Sequence, residues 1–177
     1  MTDKTINALT ATTTAVGADE IPMWVAGSGV TRKITRENFL SGYAAIINGT
    51  WTPLLIGDVT AGTQTYNTQT GRYVRIGSLV VARFYVRLYT ISGAVGNTLI
   101  GGLPFAAQNN SSDYSASVIS FWTALGTAYV TLTVYTVPGQ SYAIVRGATA
   151  AATGLSALPV SAWTTNTELM GVLIYET

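Results

Sequence analysis

The chain has 177 residues, of which 48% are hydrophobic and only 10% charged, against roughly a quarter charged in an ordinary soluble domain. A net charge of +1 leaves no long-range field to steer it towards nucleic acid or an anionic membrane. With no cysteine and no histidine, disulfides, thiolate catalysis, imidazole acid–base work and the usual zinc ligands are excluded, so stability must come from packing.

The length suits one domain plus an extension. Residues 1–16 are a threonine-rich polar run, not the apolar core of a secretory signal. The most apolar stretch, Leu99 to Ala107, is broken by Gly101, Gly102 and Pro104, far short of the roughly 20 residues of a membrane helix. Synthesis in the cytoplasm and no membrane insertion are the expectations.

Two regions differ in texture, 1–48 and 49–177. The first carries eight of the seventeen charged side chains and a few short apolar clusters, too little to form a core alone. Ile21-Pro22-Met23-Trp24-Val25 reads as extended, Gly27-Ser28-Gly29 as a turn and Val30 to Ile34 as a second strand. Thr35 is placed to cap a short helix through Leu40, with Glu37 in its first turn and Gly42 as its stop. Arg32, Lys33 and Arg36 sit beside Glu37 and make too short a basic cluster for nucleic-acid binding.

From 49 onward, strand-like runs alternate with turn residues every eight to twelve positions or so, the spacing of a sandwich or barrel. Leu79 to Tyr89 is the clearest. It sets Val80, Ala82, Phe84, Val86 and Leu88 on one face and Val81, Arg83, Tyr85, Arg87 and Tyr89 on the other. Further strands are predicted at Tyr73 to Ile76, Thr98 to Gly101, Ser115 to Phe121, Tyr129 to Val137, Ser141 to Val145 and Leu169 to Glu176. Pro138-Gly139 suits the centre of a type II turn, making Tyr129 to Val145 a hairpin.

The abundant Ser and Thr have no histidine to activate them, and strand propensity explains their number. Asp58, Asp113, Glu168 and Glu176 are scattered through the β region, so nothing in their spacing marks a catalytic carboxylate pair. No catalytic, cofactor or metal site is therefore expected. The stripe Arg83, Tyr85, Arg87 and Tyr89, with Tyr73 and Arg75 beside it, mixes guanidinium and aromatic groups. A subunit contact, a solvated face and ligand recognition all use such residues; we place it at a subunit interface. Low charge and a first region that cannot fill a core favour burial against identical copies. That puts Ile21, Met23, Trp24, Ile34, Phe39 and Leu40 at the same interface.

The runs Ile6-Asn7-Ala8-Leu9-Thr10, Ala18-Asp19-Glu20-Ile21-Pro22 and Thr31-Arg32-Lys33-Ile34-Thr35 resemble the start of many bacteriophage fibre and appendage proteins. Gly49-Thr50-Trp51-Thr52-Pro53, Thr70-Gly71-Arg72-Tyr73 and Ile100-Gly101-Gly102-Leu103-Pro104-Phe105 are similar to the β-rich C-terminal domain of such fibres. The resemblance implies an all-β homotrimer: an antiparallel, jelly-roll-like β-sandwich head at 49–177, behind an extended attachment arm with one short helix. It implies a non-enzymatic virion protein that contacts other virion proteins and a host-surface glycan, with no cofactor. Exposed loops are the expected receptor contacts, namely Gln108, Asn109, Asn110, Asp113 and Tyr114, and the segment Ala148 to Leu158. A capsid decoration or cement protein is the second reading, and a polysaccharide-cleaving enzyme the third.

Overall fold

The computed structural model describes residues 20–25, 30–35, 45–150 and 153–177, and contacts divide the chain into two compact units, Met1–Ala44 and Ala45–Thr177. In the first, β1 (Glu20–Val25) pairs antiparallel with β2 (Val30–Thr35), Ile21 opposite Ile34 and Val25 opposite Val30. These are the two extended segments expected there. The helix predicted after Thr35, with Phe39 and Leu40, lies outside the described residues, as do the side chains of Ile21, Met23, Trp24 and Ile34.

The second unit is all antiparallel β among its described residues, with one short 3-10 turn at Val160–Ala162. Its strands are β3 (Ile46–Trp51), β4 (Leu54–Gly57), β5 (Thr65–Ile76), β6 (Leu79–Thr90), β7 (Thr98–Gly101), β8 (Ala116–Thr123), β9 (Thr131–Thr136), β10 (Tyr142–Ala148), β11 (Ser156–Ala157) and β12 (Glu168–Glu176). They lie in the order β3-β5-β6-β12-β8-β9-β10-β7-β4, with β11 on β10. The sheet curls onto itself as a sandwich. β8 makes the corner: its later residues pair with β12, and Ala116 to Val118 pair with β9. At the opposite edge Thr52 and Pro53 link β3 directly to β4, so the two ends of the strand order are covalent neighbours.

Alternation drives this arrangement. On β6, Val80, Ala82, Phe84, Val86 and Leu88 are all buried, as its period of two requires. They meet Leu55, Ile100, Leu132, Val134, Ala143 and Val145 from the other layer, with Leu169, Leu173 and Tyr175 of β12. Each large aliphatic side chain so buried contributes about 1.5–3 kcal/mol. The polar tips in this core are satisfied: the Trp163 indole donates to Thr98 Oγ1 at 2.9 Å and the Tyr175 hydroxyl to the Phe105 carbonyl at 3.0 Å.

The hairpin of β9 and β10 turns at Pro138-Gly139. Gly139 takes φ +72°, and Gln140 N–H donates to the Val137 carbonyl at 3.0 Å, closing the expected four-residue turn. β5 runs twelve residues, eight more than the sequence suggests, and with β6 forms an arm about 40 Å long at the rise of a strand.

Candidate functional site

The outer face of the β3-β5-β6-β12 layer is built by register. Across β5 and β6, Arg72 pairs with Arg83, Val74 with Val81 and Ile76 with Leu79. β3 adds Thr50 opposite Arg72 and Ile46 opposite Ile76. β12 adds Val172 opposite Arg83, Ile174 opposite Val81 and Glu168 opposite Arg87. The face therefore has two halves. Near the Gly77-Ser78 turn it is apolar and open: Ile46 is 70% exposed, Ile174 48% and Val81 38%. Towards the other end it carries Arg72, Arg83, Tyr85, Arg87 and Glu168, and beyond them the exposed Tyr89.

Tyr73 and Arg75 do not join this stripe. The turn at Gly77-Ser78 pairs Tyr73 with Ala82 and Arg75 with Val80, both inward residues, so the two side chains point to the opposite face from Arg83. There Tyr73 meets Phe105 edge-on at 5.1 Å, and the Arg75 guanidinium lies 4.8 Å over the same ring. Arg75 Nε also donates to the Gly77 carbonyl at 2.7 Å, which ties the turn down.

The charges of the polar half are unevenly matched. Every cation of residues 45–177 is an arginine, five in all. The Tyr85 hydroxyl donates to Glu168 Oε1 at 2.6 Å. That bond, with desolvation and the negative charge of Glu168, raises the phenol above its ordinary pKa. Glu168 also stands opposite Arg87, whose Nη2 donates to Asn166 Oδ1 at 3.2 Å. Arg87 Nε is buried and meets no acceptor among the described residues. Two shallow depressions flank Arg72 and Arg83. One is lined by Asn48, Thr50, Val74 and Val81, the other by Thr70 and Tyr85.

The expected receptor loop connects β7 to β8. Gln108 N–H donates to the Glu176 carbonyl at 2.8 Å, and Asp113 N–H to the Asn110 carbonyl at 2.9 Å. With its nitrogen turned towards the acids, the Gln108 amide donates to Asp113 Oδ2 at 3.1 Å and Glu176 Oε2 at 3.3 Å. Two carboxylates far apart in sequence thus share one amide, a meeting that only the fold reveals. Asn109 abuts the Gly139 turn, and Tyr114, mostly exposed, lies 6.1 Å from the Tyr135 ring. In the second loop segment, Ala151 and Ala152 lie outside the described residues.

Opposite the loop, Asp58 grips the start of β7. Its carboxylate accepts from Asn97 N–H at 2.7 Å and from Asn97 Nδ2 at 2.9 Å, and these bonds lower its pKa. Among the described residues no three His, Cys, Asp or Glu side chains gather as a metal site would require.

The sequence matches no protein-family model and no curated protein sequence. A similar solved structure is that of the Dettilon tailspike protein, with a TM-score of 0.61 and 19% identity over 74% of this chain. The chain spans 24% of the length of that protein. At this identity the likeness is one of architecture: most of the chain shares its fold with part of a tailspike.

Proposed function

We propose that this chain is a structural subunit of a bacteriophage appendage, a short trimeric fibre or spike domain that binds a saccharide of the host surface. The observation that carries this reading is the fold itself, a curled antiparallel sandwich shared with part of a tailspike. Its place would be the virion. The segment ahead of β3 would attach it to other virion proteins or wind around neighbouring subunits, with Ile21, Met23, Trp24, Ile34, Phe39 and Leu40 in those contacts.

Trimer formation is supported by the 10% charge content and by the apolar half of the outer face. Ile46, Ile76, Leu79, Val81 and Ile174 lie side by side there, and water-exposed apolar area gains about 25 cal/mol per Å² when a neighbour covers it. The stripe Arg83, Tyr85, Arg87 and Tyr89 borders that contact. The loop Gln108, Asn109, Asn110, Asp113 and Tyr114 offers amides, a carboxylate and a ring to a receptor. A non-enzymatic role is supported by the Gln108 amide, which, with its nitrogen turned towards the acids, engages one oxygen each of Asp113 and Glu176.

Immunogold labelling of assembled particles tests the reading. Label at the tail or at a vertex is expected. A regular array over the capsid faces would replace the appendage with a shell-decorating protein, and release of sugar from host polysaccharide by the purified protein would make it an enzyme.

A further inference from the structure

We propose that Arg72 and Arg83 form a carboxylate-binding site for an acidic saccharide, one built from uronic-acid-type sugars. The inference rests on the appendage reading and goes beyond it, by naming a class of sugar and a site on the sheet face, distinct from the Gln108 to Tyr114 loop, that holds it.

The two guanidinium groups stem from residues directly opposite each other on β5 and β6. Cross-strand Cβ atoms sit about 5 Å apart, and like charges so placed are mutually destabilising. Ordinarily an acidic neighbour relieves such a pair. Here the adjoining residues on the same face are Thr50, Thr70, Val74, Val81, Tyr85 and Val172, none of them acidic. Glu168, the acid nearest along the face, is already bound by the Tyr85 hydroxyl and stands opposite Arg87. Arg72 and Arg83 thus bring two positive charges with no acidic partner beside them to the rim of two depressions that open to solvent.

The surroundings select the ligand. Phosphate sites are commonly built from free backbone N–H groups at helix N-termini or in loop nests. At Arg72 and Arg83, β5 and β6 are flanked by β3 and β12, so the backbone N–H groups there are committed to ladders on both sides and only the side chains can bind. Two guanidinium forks suit a planar carboxylate, which each can grip with paired N–H donors. Asn48, Thr50 and Thr70 put an amide and two hydroxyls around the arginines, matching sugar hydroxyls. Val74 and the Tyr85 ring supply apolar surface for the C–H face of a pyranose. The Trp51 indole donates to the Arg83 carbonyl at 3.2 Å and so fixes the strand beneath the site.

The test is calorimetric titration of the full chain with trimers of galacturonate and of glucuronate, with their methyl esters, and with a triglutamate peptide. At least one uronate trimer should bind, and its ester and the peptide roughly tenfold or more weaker, since the charge-assisted bonds or the sugar contacts are lost. Arg72→Gln and Arg83→Gln should each weaken uronate binding by a similar factor. Their thermal midpoints should stay the same or rise, because relief of like-charge repulsion shows that the variants are folded. Equal binding of acid and ester, unchanged binding by both variants, or no uronate binding at millimolar concentration would overturn the site, and peptide binding as tight as the uronate would overturn its saccharide ligand. Adherence to host cells separates this from the reading beneath it. If the double variant adheres as well as the wild type, the site is overturned and the appendage stands; if neither adheres, the appendage reading falls.

Discussion

Trp51 lies flat against Gly71, its cross-strand partner, so that a Cβ on Gly71 would stand 2.5 Å from the indole nitrogen. The same indole donates to the Arg83 carbonyl and meets Phe84 edge-on at 6.4 Å. One missing methyl group therefore lets the ring tie β3 and β5 to β6. Gly71→Ala should displace the ring and lower the unfolding free energy by about 1–3 kcal/mol, the usual cost of overpacking. Urea denaturation checks this, and the midpoint should fall with the slope unchanged.

The buried Tyr175 phenol is pushed up to about 12 by desolvation, against the smaller opposing effects of its bond to Phe105 and the charge of Arg75. Its folded pKa exceeds the unfolded value of about 10. The stabilisation it lends is complete below about pH 10 and is lost as pH rises through the folded value. Tyr175→Phe should flatten the alkaline part of a stability-against-pH curve while costing about 0.5–1.5 kcal/mol at neutral pH for the lost hydrogen bond.

Asp58 predicts the opposite limb. Its folded pKa lies below the unfolded value of about 3.9, so its contribution is present above about pH 4 and lost as pH falls through the folded value. Asp58→Asn should make stability less dependent on pH in that acid window, as read by urea unfolding at a series of pH values.

On the apolar half of the outer face, Val81 and Ile174 stand opposite each other and are open to solvent in the single chain. Val81→Asp should leave the far-ultraviolet circular dichroism spectrum intact, since the side chain points away from the core. It should convert the proposed trimer to single chains in size-exclusion chromatography, because an unpaired carboxylate would be buried at the proposed subunit contact.

Strands were legible where side chains alternate. β6 reads directly because apolar and polar residues trade places from Ala82 to Leu88, and β7 because Thr98 to Gly101 is bounded by turn residues. The first half of β5, Thr65-Tyr66-Asn67-Thr68-Gln69-Thr70, has no such period; β6 makes a strand of it by pairing, and Tyr66 reaches the Leu55 backbone of β4 through its hydroxyl at 2.8 Å. β4 escapes notice because four residues after Pro53 carry too little pattern. The arginine pair was half visible: Arg83 stands out on its strand, whereas Arg72 becomes its neighbour only through the register set at Gly77-Ser78. Tyr73 and Arg75, expected beside the stripe, face the other way through the same register. The shared amide of Asp113 and Glu176 is a tertiary contact, and no local spacing announces it.

Self-association carries the greatest weight in the account, and sedimentation equilibrium of the purified chain at micromolar concentration measures it directly. A single species of three times the 18.6 kDa chain mass is the predicted result. A stable species at the mass of one chain, with the outer sheet face left open to water, would contradict it.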